Sequence, residues 1–388
     1  MRISSSRSNP IGLLKTKLFK VVQPINFYQK ELFALEQKGL LRQRTLYDED
    51  IIDFASNDYL GFSEDKDILH KAYAKVRGLK THSPKASLLV NGYSPVHKEF
   101  EDNLKKHNDF EDCILVGSGF LANIALIESL VRKKDLLFID SEFHASGMLA
   151  SRLLPSQKMV FRHNDFLHLE ELLKANPCQR AIVAIEGIYS MSGDICCVEF
   201  FELAKKYNVI LIIDEAHSSG VLGDRCLGVM DYYNIAPSAN IIKMGTLGKA
   251  FGSYGAYILA SRDIICFLQN RAKSIVYSTA ISLFDIALAN EAFVKMLENT
   301  TQIQRSIRNI GGIIRTSLGI TKQGLIFPIE IGDNKKVLQL QEQILAQNML
   351  IGAIREPTVP KAILRIIGSV ANERFVPSLC ENIKKLNA

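Results

Sequence analysis

A series of short apolar runs, separated by stretches with helical spacing, constrains the fold of this 388-residue chain most strongly. The runs are nearly continuous in Val, Ile and Leu, which is typical of strands covered on both faces in a mainly parallel sheet. Helical patterns lie between many of them, at 121–131, 167–175 and 199–207. We therefore predict a large α/β domain whose strands are 113–117, 136–140, 159–162, 181–186, 209–214, 241–245 and 257–260.

The pattern changes beyond a long predicted helix at 283–298. Shorter apolar runs then alternate with two helices, which indicates a small α+β domain. Its predicted strands are 325–331, 350–354 and 364–367, and its helices are 335–348 and 376–386. At the other end, 25–48 is typical of a polar helix and a connection. The predicted division is an N-terminal arm and helix at 1–50, a large domain at 51–285 and a small domain at 286–388.

The excess of basic over acidic residues lies in the first 30 residues of the chain. The net charge is +6, and residues 1–30 hold six bases and no acid, so the rest of the chain is neutral. A neutral body predicts no nucleic-acid partner. No apolar run approaches the roughly 20 residues of a membrane helix, so no membrane partner is predicted either. The basic segment has the composition of an organelle transit peptide, and equally of a disordered arm or an over-extended start.

The seven cysteines are odd in number and form no C-x-x-C pair. Several lie in apolar runs, as small buried hydrophobic residues do. This usage favours a reducing cytoplasm over a disulfide framework, and it indicates no metal site.

Two motifs at predicted strand ends indicate the chemistry. One apolar run ends in Asp214-Glu215-Ala216-His217, and the next leads into Gly245-Thr246-Leu247-Gly248-Lys249. Together they favour a cofactor that has a ring nitrogen to pair with a carboxylate, an aldehyde to condense with an amine and a phosphate to hold. Pyridoxal 5′-phosphate (PLP) has all three. A lysine desolvated among small residues becomes a nucleophile and a base.

A rival motif begins at Gly117. The segment Gly-Ser-Gly-Phe-Leu-Ala follows a strand and opens a helix, as a dinucleotide-binding fingerprint does, and Asp140 ends the next strand. A nicotinamide-dependent oxidoreductase is therefore an alternative. However, a helix N-terminus also holds the phosphate of PLP, and the dinucleotide interpretation leaves Asp214, His217 and Lys249 unexplained.

Two further loops follow predicted strands. His144 lies in 141–146, where its ring could lie against an aromatic cofactor, or could be exposed in the first turn of a helix. Ser190 lies in the glycine-punctuated segment 187–194, which could reach the cofactor or form a plain turn.

In combination these motifs resemble the α-oxoamine synthases, a family of fold-type I PLP enzymes. Such enzymes join an amino acid to an acyl thioester with loss of carbon dioxide. The resemblance runs from about residue 31 to the C-terminus, and its motifs are 56–61, 91–97, 117–123, 143–146, 186–194, 214–217 and 245–249. It implies an aspartate-aminotransferase-like fold with a large, mainly parallel sheet domain and a small α+β domain, PLP as cofactor, and a homodimer.

The resemblance also implies roles for single residues. Lys249 would form the Schiff base with the cofactor, Asp214 would pair with its ring nitrogen, and His144 would stack on the ring and contact the substrate. The further cofactor contacts that it implies come from Gly119, Phe120, Ser190, His217 and Thr246.

For the substrates, the resemblance implies contacts from Arg42, Thr358 and Arg365. Arg365 is the candidate for the carboxylate of the amino acid. The family usually has a second arginine two residues later, where this chain has Ile367.

Three segments, 92–94, 277–279 and 353–360, are most similar to the branch of the family that acts in biotin biosynthesis. That branch condenses L-alanine with a pimeloyl thioester, and the sequence leaves open whether an acyl carrier protein or coenzyme A carries the acyl group. The segment 245–250 is also similar to the branch that joins glycine to acetyl-coenzyme A, which is the alternative.

Overall fold

The fold is that of a computed structural model, which describes residues 24–154 and 157–386. The chain divides into two compact units, Met1–Leu46 and Tyr47–Ala388. The basic segment falls largely outside the described residues, and its role stays a prediction. Of the first unit, the structure describes the helix α1 (Pro24–Gln37) and the residues that follow it.

The strands of the second unit form two sheets. In chain order they are β1 (Ile52–Phe54), β2 (Asp112–Val116), β3 (Leu136–Asp140), β4 (Lys158–Phe161), β5 (Ala181–Glu186), β6 (Ile210–Asp214), β7 (Ile241–Thr246), β8 (Ala256–Ala260), β9 (Ile326–Gly332), β10 (Met349–Ile354) and β11 (Ala362–Ile367).

The helices of the second unit lie between and after these strands. They are α2 (Lys66–Arg77), α3 (Pro95–Asn108), α4 (Gly119–Leu130), α5 (Ala145–Ser151), α6 (Phe166–Ala175), α7 (Glu199–Lys206), α8 (Val229–Tyr232), α9 (Arg262–Arg271), α10 (Lys273–Val276), α11 (Leu283–Glu298), α12 (Thr300–Leu318), α13 (Asn334–Leu345) and α14 (Val376–Leu386).

The large sheet has seven strands in the order β2-β8-β7-β6-β5-β3-β4. Only β8 runs antiparallel to its neighbours, which confirms the predicted mainly parallel sheet. Alternate residues of a strand enter different cores: Leu211 and Ile213 pack into one apolar cluster, and Ile212 packs into the other. Both faces of the large sheet are therefore covered, which explains why the sequences of these strands are almost continuously apolar.

The second sheet has four strands in the order β1-β10-β11-β9. Its C-terminal strands form antiparallel pairs, while β1 adds in parallel to β10, with Ile52 opposite Met349. A strand that precedes the large sheet in the chain thus completes the sheet of the C-terminal part. No strand was predicted at the position of β1, and the predicted domain boundaries stay a prediction.

Parallel pairing aligns the ends of the central strands. Glu186, the last residue of β5, lies opposite Asp214, the last residue of β6, and Asp214 lies opposite Met244 in β7. The carboxyl edge of the sheet, where α/β proteins place ligands, therefore collects the polar residues of all three strands. Within the described ranges, no helix has the length and apolar character needed to cross a bilayer.

One loop near this edge requires glycine. Gly228 has φ 105°, a region that side chains rarely adopt, and a Cβ at this position would lie 2.3 Å from Glu215 Oε2. The close approach lets the Val229 amide donate to the buried Glu215 carboxylate at 2.8 Å. Gly228 thus allows the loop to satisfy a carboxylate that lies next to Asp214 in the chain.

We predict that Gly228→Ala destabilises the protein by at least about 1–3 kcal/mol, the typical cost of one strained backbone position. Thermal and urea unfolding measure the change. The matched control is Gly312→Ala in α12, where a Cβ meets nothing within 4 Å, so a stabilisation of about 0.4–1 kcal/mol is expected. Equal shifts in the two variants would contradict the account of this loop.

Candidate functional site

A cavity of about 160 Å³ lies at the carboxyl edge of the large sheet. It brings together residues that are far apart in the sequence, and all the predicted catalytic and cofactor residues except Ser190 line it. The lining residues are Gly119, Phe120, Asn123, His144, Glu186, Asp214, Ala216, His217, Met244, Thr246 and Lys249.

One end of the cavity is built to hold an anion. The side chain of Ser118 caps α4 by accepting a hydrogen bond from the Leu121 amide at 3.2 Å, and α4 begins at Gly119. The start of the helix lies against Thr246, because a Cβ on Gly119 would be 3.7 Å from Thr246 Cβ. Helix N-terminal amides beside a hydroxyl group favour a phosphate.

The Asp214 carboxylate is held by two donors. Its Oδ1 accepts a hydrogen bond from the Ala216 amide at 3.0 Å, and its Oδ2 accepts one from Asn123 Nδ2 at 2.7 Å. Asn123 Nδ2 also donates to Ser146 Oγ at 2.9 Å, and that oxygen lies 2.7 Å from His144 Nδ1. This network links the carboxylate to the imidazole ring and fixes the position of both.

Asn123 is a site residue for which the sequence predicted no role. The spacing of the sequence could have indicated it: Asn123 lies one helical turn after Gly119, a predicted cofactor contact, and therefore on the same face of α4. Asn123 Oδ1 is buried and has no hydrogen-bond partner within the described part of the chain. A buried amide oxygen without a partner is unusual, and here it adjoins a cavity.

The Lys249 amine lies beside an imidazole nitrogen. Its Nζ is 2.7 Å from His217 Nε2. Burial lowers the pKa of Lys249 to about 8, although Asp214 and Glu186 oppose this shift. Burial, and then the charge of Lys249, lower the pKa of His217 well below its ordinary value, so this imidazole is neutral. An amine with a pKa near neutrality can both take up and release a proton.

Glu186, predicted only as the end of a strand, is also a residue of the site. Its two oxygens accept hydrogen bonds from the His144 amide at 2.6 Å and from the Ser190 amide at 3.0 Å. Burial, followed by the charge of Asp214, raises the pKa of Glu186 well above its usual range. Glu186 thus holds the two loops that carry His144 and Ser190.

Ser190 does not line the cavity, but its backbone holds Arg365. Arg365 Nε donates to the Ser190 carbonyl at 2.8 Å, and Nη1 donates to Asn57 Oδ1 at 3.1 Å. Nη2 is buried and has no hydrogen-bond partner among the described residues. Ile367, which replaces the family's usual second arginine, is buried in the apolar core.

The other two predicted substrate residues are not among the residues that line the cavity. Thr358 is exposed between β10 and β11, where its amide donates to the Arg355 carbonyl at 3.0 Å. Arg42 is exposed in the unit Met1–Leu46. Their roles in substrate binding stay predictions.

Comparison with known proteins places the chain in a family. Residues 49–383 match the family "Aminotransferase class I and II". The chain is also 42% identical to 8-amino-7-oxononanoate synthase of Helicobacter pylori strain J99 over 347 residues, which cover 89% of this chain and 93% of that protein. The chain belongs to this family. Within it, the chain is an α-oxoamine synthase, a PLP-dependent acyltransferase.

Solved structures agree with this fold. The structure of 8-amino-7-oxononanoate synthase from Francisella tularensis matches with a TM-score of 0.73 and 25% identity, over 87% of this chain and 98% of that chain. Serine palmitoyltransferase of Sphingomonas wittichii matches with a TM-score of 0.79 and 23% identity, over 86% of each chain. The predicted fold class is confirmed, and the dinucleotide alternative is wrong: the glycine motif at Gly117 belongs to a PLP enzyme.

The residues of the cavity fit PLP. The cofactor needs partners for a phosphate, an aldehyde and a ring nitrogen. The start of α4 with Thr246 can hold the phosphate, the Lys249 amine can condense with the aldehyde, and the Asp214 carboxylate, held by two donors, can face the ring nitrogen.

Proposed function

We propose that this enzyme condenses L-alanine with a pimeloyl thioester to give 8-amino-7-oxononanoate, carbon dioxide and the free carrier thiol. The observation that carries the proposal is the 42% identity to a synthase of that name over nearly the whole of both chains. The segments 92–94, 277–279 and 353–360 support the same branch.

The bound PLP supplies an electron sink for the bond that breaks at Cα of the amino acid. Asp214, as a carboxylate, stabilises the protonated form of the ring nitrogen, because an opposite charge favours the charged form. Its two hydrogen-bond donors keep it in place, so little reorganisation is needed during the reaction. We expect His144 to lie along the ring, in the orientation that Ser146 fixes.

Lys249 moves the proton. Its amine would hold the cofactor at the aldehyde, and it would be free while the amino acid is bound. The free Nζ then takes the Cα proton and later returns a proton to the product. Its pKa of about 8 suits both steps near neutral pH.

Arg365 is our candidate for the alanine carboxylate. Its Nη2 is buried without a partner in the described part of the chain, while Nε and Nη1 are fixed by Ser190 and Asn57. A carboxylate there would give the unpaired donor an acceptor and would orient Cα toward Lys249. We further propose that Arg42 and Thr358 contact the pimeloyl chain, whose far end is acidic.

The enzyme is proposed to act in the cytoplasm as a homodimer, as the family resemblance implies. The nearly neutral charge of the body leaves little self-repulsion to oppose assembly. An active monomer in light scattering, across a dilution series, would contradict the assembly.

The variant Arg365→Lys tests the carboxylate contact. We predict that it raises the KM for alanine by roughly 10–100-fold, because a charge-assisted hydrogen bond in a desolvated site is lost. The KM for the thioester should change much less. Steady-state kinetics with each substrate varied in turn measure both constants, and Arg308→Lys, an exposed arginine of α12, is the control. An unchanged KM for alanine would remove Arg365 from this role.

Direct competition tests the proposed substrates. With alanine and glycine present together, and pimeloyl and acetyl thioesters likewise, we predict a preference for alanine and for pimeloyl. Each preference should be at least about tenfold in kcat/KM, which corresponds to ~1.4 kcal/mol. Mass spectrometry identifies the products. A faster reaction of glycine with acetyl thioester would make the chain a 2-amino-3-ketobutyrate ligase, the function that the segment 245–250 favours.

A further inference from the structure

Tyr59 is connected to Lys249 through the His217 ring. The phenol is fully buried, and its oxygen lies 2.5 Å from His217 Nδ1. The other nitrogen of the same ring, Nε2, lies 2.7 Å from Lys249 Nζ. Three groups from separate segments of the chain thus form one line of hydrogen bonds that ends at the amine.

The direction of these hydrogen bonds follows from the phenolic proton. A buried hydroxyl proton without an acceptor is costly. Two acceptors are within reach of Tyr59: His217 Nδ1 at 2.5 Å and Asn57 Oδ1 at 3.4 Å. Asn57 Oδ1 already accepts from Arg365 Nη1 at 3.1 Å. The phenolic proton therefore lies between Tyr59 Oη and His217 Nδ1, and Tyr59 is the donor of this hydrogen bond.

A neutral imidazole that accepts at Nδ1 carries its proton on Nε2. This N–H then points at Lys249 Nζ. A hydrogen bond of 2.7 Å forms there only if the amine offers its lone pair, because an ammonium group would place N–H against N–H. The tautomer of His217 thus selects the unprotonated form of Lys249.

We propose that Tyr59 is a positioning residue that holds His217 in the Nε2–H tautomer and thereby favours the unprotonated form of the free Lys249 amine. That Lys249 is the base of the reaction rests on the proposed function. The hydrogen bonds from Tyr59 through His217 to Lys249 do not depend on it. The amine is needed in this form each time alanine has displaced it and the Cα proton must be accepted.

Other charged and titratable groups also face this amine. Asp214 and Glu186, at the ends of β6 and β5, favour its protonated form, and Arg365 of β11 opposes it. His144 lies on the same cavity. Tyr59→Phe removes the contact between Tyr59 and Arg365 but leaves the other three groups unaltered. His217→Gln keeps that contact, so a rise in the Lys249 pKa that both variants share reports the hydrogen-bonded line.

The variant Tyr59→Phe removes the donor and keeps the ring. The imidazole of His217 is then free to carry its proton on Nδ1 and to accept one from the Lys249 ammonium at Nε2. We predict that the pKa of Lys249 rises by about one unit, the effect of one buried hydrogen bond. Competitive labelling of amines across pH, on the full chain without cofactor and read by mass spectrometry, measures this pKa at the Lys249 peptide.

Tyr189→Phe is the matched control. Tyr189 is also buried, and its hydroxyl donates to Asp140 at 2.7 Å, away from His217. Tyr189→Phe should therefore leave the pKa of Lys249 unchanged. In the PLP-loaded enzyme, the acidic limb of the kcat–pH profile should move to higher pH in Tyr59→Phe and stay in place in Tyr189→Phe.

His217→Gln interrupts the same line at its centre and serves if Tyr59→Phe does not fold. It should also raise the pKa of Lys249, and adding Tyr59→Phe to it should produce no further rise. An unchanged or lowered pKa in the single variants, or a rise equal to that of Tyr189→Phe, would overturn the proposal. The labelling uses no substrate, so its result is independent of the substrate competition assay.

Discussion

The parallel register of β5, β6 and β7 is the constraint on which the site depends. It sets Glu186 opposite Asp214 and Asp214 opposite Met244, so the chain leaves all three strands at one edge. The loops that follow then deliver Ser190, His217 and Lys249 to the same region. A shift of one residue in the register of β6 would turn the side chains of that strand, Asp214 among them, toward the opposite face of the sheet.

Desolvation then sets the chemistry of the groups so assembled. The same burial lowers the pKa of Lys249 and His217 and raises that of Glu186, so each group shifts toward its uncharged form. Asp214, with a hydrogen bond to each oxygen, is the group arranged to act as an anion. One low-dielectric cavity thus holds Lys249, His217 and Glu186, which burial shifts toward their uncharged forms, beside the Asp214 carboxylate.

The sequence predicted what is local. Asp214, Thr246 and Lys249 follow apolar runs directly, so their motifs could be placed at strand ends, and the long helix 283–298 was predicted with the bounds of α11. Tyr59, Glu186 and the pairing of β1 were missed because each acts through a partner far along the chain. Tyr59 and His217, for example, are 158 residues apart. The α12 helix was missed although its apolar residues have helical spacing.

The central claim is that PLP is held in this cavity through Lys249, and borohydride reduction of the PLP-loaded full chain tests it most directly. Reduction converts the Schiff base into a stable pyridoxyl-lysine, which peptide mass spectrometry locates. We predict the label on Lys249. Lys243 is an internal comparison: it is also buried, but it alternates with Met244 and so points to the other face of the sheet, where it donates to Asn108. Recovery of the label on Lys243, or on any lysine other than Lys249, would contradict the account.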